Sequence, residues 1–346
     1  MHPHSLYIHW PFCPYRCHFC PFVALAGQDQ FMKEYHQALL QEMEQFASNY
    51  SQKIQLETIY IGGGTPSTYP NELLLDTFGR LISRFSFNEK TEVTIELNPG
   101  TVNKQQLQLW KTVGINRLSI GVQSLNESVL HSLNRKQNTS DIFFVLEHAR
   151  PLFTNISIDI ILGLPGISNK EWKILLQKVV TWPITHISMY FLTVHEKTPL
   201  YFKVKTNEVE LLKDGTMLEL YYWSCDFLAK HGFEHYEISS FARSGYQSRH
   251  NNVYWARVPY KAFGLGACSF DGITRFQNEK NLTKYLEGVQ RGNDITSFSE
   301  ELTDEQIHIE KVMLGLRRMK GVMGDVLLEG LSEQKKLLVL EKVTIL

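Results

Sequence analysis

The sequence predicts an α/β fold: a partial (β/α)6 barrel with a small, mostly helical C-terminal domain. Three observations predict it. Six short apolar-rich segments recur through the first 195 residues, each followed by a stretch with helical spacing. The segments read as nearly continuous apolar runs, the pattern of a parallel sheet covered by helices. The chemically unusual residues fall at, or just past, the C-terminal ends of those segments, the edge where parallel α/β folds build sites. Six units fall short of a closed eight-unit barrel, so the expected barrel is partial.

Each element has its own signal. "SLYIHW" (5–10) is a strand and leads into a cysteine-rich loop. Phe31, Tyr35, Leu39, Met43 and Phe46 recur at helical spacing within 28–48. "ETIYI" (57–61) is a strand ending in Gly62-Gly63-Gly64-Thr65-Pro66, and Asn71 caps a helix running to about Arg84. "EVTIEL" (92–97) ends at Asn98-Pro99-Gly100 and is followed by helix 103–112. "RLSIGV" (117–122) leads to helices near 126–133 and 140–150. "ISIDIIL" (156–162) ends at Gly163-Leu164-Pro165-Gly166, and helix 169–180 leads to "HISMYFL" (186–192). Beyond residue 195 the rhythm changes: a long helix is expected over 208–231, then a Gly-, Tyr- and Asn-rich stretch, then a helical tail.

Composition narrows the class. The chain has 346 residues, a formal net charge of -1 and 43% hydrophobic residues. That balance predicts neither bulk nucleic-acid binding nor attraction to an anionic membrane. The start "MHPHSLYIHW" has no basic n-region or long apolar h-region, and no apolar run approaches the ~20 residues of a spanning helix. The expectation is a soluble, cytoplasmic protein. Five cysteines is an odd number, and three of them stand within "CPYRCHFC", Cys13 to Cys20. This suits a metal site in a reducing compartment better than a disulfide framework. Cys225 and Cys268 are distant singles, read as structural thiols.

Three thiolates in C-x3-C-x2-C suit zinc or an iron–sulfur cluster. Structural zinc prefers four closed ligands, and His9 or His18 could complete a Cys3His set. A [4Fe–4S] cluster ordinarily takes four cysteines, so three would leave one iron open to a small molecule. The neighbouring segments favour such a ligand. Gly62 to Gly64 permit close backbone approach. Glu96 at a strand end can meet an ammonium or ribose hydroxyls, and Gln123, Arg135 and Asp159 recur at matching places.

With these residues the sequence resembles the radical S-adenosylmethionine (radical SAM) family. Cys13, Cys17, Phe19 and Cys20 match its cysteine motif, in which an aromatic precedes the last cysteine. The resemblance implies a radical-SAM-type barrel with a [4Fe–4S] cluster on Cys13, Cys17 and Cys20. In the family the open iron chelates SAM, and an electron from the cluster splits it to give a 5′-deoxyadenosyl radical; the protein holds, orients and shields the reactants. "LYIHWPFC", "IYIGGGTPS", "ELNPGTV", "NRLSIGVQS", "DIILGLPG", "YEISSFA", "HNNVYW" and "GLGACS" are similar to the branch of oxygen-independent coproporphyrinogen III dehydrogenase (HemN) and the heme chaperones (HemW), over about residues 5 to 320. By position, Tyr7, Gly63, Gly64, Thr65 and Glu96 are implied contacts of a first SAM, and Phe19, Gln123, Arg135 and Asp159 of the dehydrogenase's second SAM.

Within the branch the resemblance leans to the chaperones. Dehydrogenases resemble C-x3-C-x2-C-x-C, where this chain has Phe22, and they carry a long arm ahead of the cluster where only 12 residues precede Cys13. "RHNNVYW" (249–255) resembles the chaperones' H-N-x-x-Y-W motif, which implies His250 as a heme ligand. The implied cofactors are the cluster, SAM and heme. The implied partners are heme-accepting apoproteins such as those of the respiratory chain, with at most peripheral membrane contact and possible homodimerisation. No catalytic side chain is assigned. Three departures stand out: Pro21 where chaperones commonly have Asp, Trp10 where an aliphatic is usual, and a short segment after Val322 where relatives often carry a winged-helix-like unit. The expected division is 1–195 for the barrel with its cluster loop, 196–300 for a barrel-associated helix and the H-N-x-x-Y-W region, and 301–346 for a short helical segment.

Overall fold

Six parallel strands form the centre of the molecule, and they curve into an open barrel. The computed structural model describes residues 3–344. The strands are β1 (Ser5–Trp10), β2 (Thr58–Gly63), β3 (Glu92–Leu97), β4 (Arg117–Gln123), β5 (Asn155–Leu162) and β6 (His186–Phe191). Helices α1 (Met32–Ala47), α2 (Asn71–Arg84), α3 (Lys104–Thr112), α4 (Glu127–Ser132), α5 (Thr139–Ala149) and α6 (Asn169–Val179) connect them. Helices α7 (Pro199–Lys205) and α8 (Asp214–Lys230) follow, then a hairpin of β7 (Glu234–Glu237) and β8 (Ser240–Ala242) and helix α9 (Arg249–Trp255). Strand β9 (Lys261–Phe263) comes next, with a three-stranded antiparallel sheet of β10 (Cys268–Phe270), β11 (Thr274–Asn278) and β12 (Thr296–Glu301). Helices α10 (Leu282–Arg291), α11 (Asp304–Arg317), α12 (Gly324–Leu328) and α13 (Glu333–Thr344) complete the described chain. The main sheet has nine strands, in the order β7-β8-β6-β5-β4-β3-β2-β1-β9, so it is not closed. Among the described residues no helix is long and apolar enough to cross a membrane.

The strands are not the continuous apolar runs that the sequence first suggests. They alternate strictly. Leu6, Ile8 and Trp10, Ile59 and Ile61, Val93 and Ile95, Leu118 and Ile120, and Ile156, Ile158 and Ile160 all join the core packed against the helices. The intervening residues face the barrel interior and are almost all polar: Tyr7, Tyr60, Glu96, Ser119, Asp159 and Ser188 among them. Hydrogen bonds join them: Tyr60 donates to Glu96 Oε1 at 2.8 Å, and Ser119 to Asp159 Oδ2 at 3.1 Å. Period-two alternation ordinarily marks a strand with one wet face; here the wet face is a barrel interior.

Capping chemistry sets several helix starts. Asn103, Asn138 and Ser168 each form a capping box at the head of α3, α5 and α6. The long helix expected from 208 begins at Asp214. A separate helix, α7, is seeded by Thr198 and Pro199 and ends before Asn207, whose φ of 58° breaks the run.

The later segments close the barrel at one side and at its base. Glu42 of α1 is 5% exposed. It accepts from the Gly264 amide at 2.8 Å, Asn278 Nδ2 at 2.8 Å and the Tyr285 hydroxyl at 2.8 Å, which locks β9, β11 and α10 to α1. At the base, the Glu92 carboxylate accepts from the amides of Arg249 and His250 at 3.0 and 2.9 Å, so the first turn of α9 sits on the start of β3. His186 bridges Ser157 at 2.7 Å and the Tyr236 hydroxyl at 2.8 Å.

Candidate functional site

The cysteine loop runs from the end of β1 across the C-terminal mouth of the barrel. A short parallel pairing of Phe12–Cys13 with Leu25–Ala26 closes it on itself. The far wall grips it too. The His18 amide donates to Leu133 O at 2.9 Å, Asn134 Nδ2 to Arg16 O at 2.8 Å, and the Leu200 amide to His18 O at 3.0 Å. Cys13, Cys17 and Cys20 line one cavity of about 470 Å³ together with Phe19, Gly63, Gly64, Thr65, Glu96, Gln123, Arg135 and Asp159. Residues up to 182 positions apart in the chain (Cys13 and His195) therefore meet in one space.

Each thiol has a polar neighbour suited to sulfur. Thr65 Oγ donates to Cys13 Sγ at 3.3 Å, and Arg135 Nη1 lies 3.8 Å from Cys17 Sγ. The Phe22 amide bonds Cys20. That last contact accounts for Pro21: the amide serving the sulfur belongs to the next residue, so proline's missing N–H costs nothing here. Burial pushes the Cys13 thiol up to about 11 and also raises Cys20. Such thiols stay protonated until a metal displaces the proton. The imidazoles that could complete a Cys3His zinc set are committed elsewhere. His9 bridges the Tyr7 hydroxyl at 3.1 Å and Val23 O at 3.0 Å, and His18 Nδ1 bonds Ser132 O at 3.2 Å. A donor set of three thiols with hydrogen-bond donors on the sulfurs, and with His9 and His18 bonded elsewhere, suits a cluster with one open iron better than closed zinc.

Opposite the thiols stand the carboxylates. Burial lifts Glu96 to about 7, even though the Tyr60 hydroxyl and the Gly63 amide, at 2.8 and 3.2 Å, favour its charge. Burial also raises Asp159, against the pull of Ser188, Arg117 and Ser119. The glycine run is packed for internal reasons. The Gly64 amide donates to Trp10 O at 2.8 Å and the Thr65 amide to Phe12 O at 2.9 Å. A Cβ on Gly64 would collide with Pro11 O. With its amides spent, this run offers a ligand carbonyl oxygen rather than N–H.

Arg135 is 5% exposed and fully tied. It donates to Gln137 Oε1 at 2.8 Å, Asn98 Oδ1 at 2.7 Å and Gly121 O at 2.6 Å. A Cβ on Gly121 would sit 2.7 Å from Arg135 Nη2, so a side chain there would displace the guanidinium from its partners. Gln123, which ends β4 after a bulge, has φ 64°, a strained conformation for a non-glycine residue and one that turns it into the cavity.

Two expected contacts stand elsewhere. Tyr7 is absent from the thiol cavity; it stacks on Tyr60 at 6.0 Å and lines a second cavity of about 460 Å³. His250 lines neither cavity. It is 0% exposed at the barrel base, with Nδ1 2.7 Å from Thr58 Oγ and Nε2 2.7 Å from the Tyr254 hydroxyl. Both its nitrogens are occupied, so in this conformation it offers no ligand to an external iron. Conversely, Asn98, Ser119 and Tyr190 line the thiol cavity and escape a reading centred on motifs. The period-two alternation of β3, β4 and β6 is the signal that finds Ser119 and Tyr190.

Comparison with known proteins agrees with this geometry. Residues 7–179 match the radical SAM superfamily. The chain is 35% identical to the heme chaperone HemW of Bacillus subtilis (strain 168), over 92% of this chain and 84% of that protein. It is 30% identical to HemW of Lactococcus lactis subsp. lactis, over 93% and 83%. The crystal-structure relative described as coproporphyrinogen III oxidase (HemN) from Escherichia coli, a radical SAM enzyme, superposes with a TM-score of 0.80 at 26% identity, covering 91% of this chain and 76% of that one. With its open six-strand barrel and three-thiol loop, the chain belongs to the radical SAM superfamily, in the HemW family of its HemN/HemW branch.

Proposed function

We propose that this chain is a heme chaperone: it holds a [4Fe–4S] cluster on Cys13, Cys17 and Cys20, binds S-adenosylmethionine beside it, and passes heme to apoproteins. One observation carries the core of the reading: three thiols and two buried carboxylates line a single cavity at the barrel mouth. Its volume falls in the usual range of small-molecule sites, about 300–1,000 Å³. When bound, the cluster supplies one open iron for the amino-acid end of SAM and a low-potential electron. The chain's own residues do the holding. Thr65 and the Phe22 amide steady two sulfurs, and Arg135 fixes a cation beside the third. Glu96 and Asp159 offer negative charge to a cationic ligand, and Phe19 and Gln123 shape the cavity's outer part. Delivery of heme to respiratory-chain apoproteins from the cytoplasm, with at most peripheral membrane contact, belongs to the same proposal, as does homodimerisation.

The chaperone choice rests on the named relatives and on Phe22, which is 64% exposed where dehydrogenase relatives have a fourth cysteine. A second reading, oxygen-independent coproporphyrinogen III dehydrogenase, is favoured by the likeness to HemN and by Phe19, Gln123, Arg135 and Asp159 sharing the thiol cavity. Anaerobic iron and sulfide quantification, hemin titration, and a coproporphyrinogen turnover assay with SAM and reductant separate the two. The proposal expects iron, sulfide and hemin binding without turnover; robust product formation overturns the chaperone assignment, and zinc without iron overturns both.

A further inference from the structure

One guanidinium nitrogen inside the barrel, Arg117 Nε, has no hydrogen-bond partner among the described residues. Arg117 opens β4 and is 1% exposed. It shares the inner face of that strand with Ser119, because Leu118 and Ile120 take the outward positions. Thr94 stands directly opposite on β3, is 0% exposed, and its hydroxyl also lacks a partner. Residues paired across adjacent strands are about 4.8 Å apart, so the guanidinium and the hydroxyl rise side by side from one face.

The surroundings of Arg117 come from every side of the barrel. Its field reaches Tyr60 of β2, Glu96 of β3, Asp159 of β5, His186 of β6, Tyr236 of β7 and His250 of α9, which places the charge near the barrel axis. Each of these groups has partners of its own. Glu96 accepts from Tyr60 and the Gly63 amide, and Asp159 from Ser119. Both histidines have both ring nitrogens hydrogen-bonded, and burial keeps them neutral. At the base, Glu92 is taken by the amides of α9, and Glu237 pairs with Arg317 at 3.0 Å.

A buried cation with no counter-charge in contact is costly. A guanidinium nitrogen only donates, and the Thr94 hydroxyl can donate beside it. Water would satisfy both donors but leave the charge. A compact anion satisfies the donors and cancels the charge. With both residues sealed from solvent, a halide suits the place better than a bulkier oxyanion.

We infer that Arg117 and Thr94 form a site for a small monovalent inorganic anion of the chloride class, inside the barrel and directly beneath the thiol cavity. Glu96 and Ser119, the next inward-facing pair on the same two strands, line that cavity, which is the ion's route in. The anion competes with Glu96 and Asp159 for one cation, and so weakens the hold of Arg117 on the carboxylates of the cavity floor. The inference goes beyond the chaperone reading and does not depend on it.

The test uses the full chain with its cluster reconstituted, bromide as the probe, and gluconate as a matched anion too large for the site. Crystals grown anaerobically in sodium bromide should show a bromine anomalous peak in contact with Arg117 Nε and Thr94 Oγ. In solution the thermal midpoint, relative to gluconate at equal ionic strength, should start to rise near the bromide Kd and then climb with the logarithm of concentration, because only the folded chain holds the ion. Arg117→Met should abolish that rise. Thr94→Val loses one hydrogen bond to an ion and should move its onset to about tenfold higher bromide. Water alone beside Arg117 in the bromide crystals overturns the site, as does a rise that Arg117→Met retains. If Arg117→Met does not fold, the wild-type anomalous map and the Thr94→Val titration decide in its place, and an onset unmoved by Thr94→Val overturns the site. Loss of hemin or SAM binding in the same preparation would count against the chaperone reading alone.

Discussion

Replacing Glu96 with glutamine gives the sharpest test of the site's electrostatics. The carboxyl titrates near 7 in the folded chain against 4.5 when unfolded, chiefly through burial. A raised carboxyl pKa means that the folded state prefers the neutral form. Its stability penalty is absent below about 4.5, accrues as pH rises, and is complete above about 7. The full shift corresponds to about 3 kcal/mol, but the carboxylate opens onto two cavities, so roughly half that is the working figure. Glutamine keeps the acceptor for Tyr60 and loses the charge, but its amide nitrogen faces the Gly63 N–H, which costs back about 1 kcal/mol. Urea denaturation of wild type and Glu96→Gln at pH 5 and pH 8 is the measurement. Wild type should lose about 1–2 kcal/mol relative to the variant between those values. In parallel, SAM affinity of the cluster-loaded wild type should rise up to about tenfold per pH unit below 7 and then level off, while the variant's profile stays flat. Equal pH dependence of stability in the two proteins would refute the claim that Glu96 is held partly neutral.

Further outcomes follow from other parts of the structure. Cys20→Ala, reconstituted anaerobically, should drop from about four irons per chain to near zero, read by iron and sulfide assay. Arg135→Gln removes the cation beside the Cys17 sulfur and should lower the cluster's midpoint potential by on the order of 100 mV, read by redox-poised EPR. Trp10→Ala removes a side chain that is 0% exposed and stacked on Tyr69 at 3.7 Å, and should cost about 3–5 kcal/mol in denaturant unfolding. Glu42→Ala strips three buried donors of their partner and should cost about 3–5 kcal/mol, with proteolysis first appearing in residues 261–291.

What the sequence makes legible is what local chemistry decides. The three cysteines, Gly63, Gly64 and Glu96 announce themselves by spacing and by their position at or after strand ends, and all line the thiol cavity. Trp10 looks anomalous in the sequence because its partners are distant: Tyr69 stacks on it, and Thr68 accepts from its indole at 3.1 Å. The surroundings of His250 are hidden from the sequence for the same reason. Nothing within "RHNNVYW" says that the ring will meet Thr58, 192 residues away. The three-stranded sheet of β10 to β12 escapes because its strands are short and largely polar, and β12 is mostly exposed.

The alternation of the barrel strands carries the larger point. Closed eight-unit α/β barrels fill their interior with branched aliphatic side chains. This one turns those outward to the helices and lines its interior with tyrosine, serine, carboxylates and a buried arginine, Arg117, whose Nε has no protein partner among the described residues. Burying such groups costs free energy that the outward packing must offset. A polar lining running from the thiols toward the base is therefore not a packing solution. It makes sense where the interior must hold charged ligands away from bulk water, with Arg117 as the cation that draws Glu96 and Asp159 back toward their ionised forms.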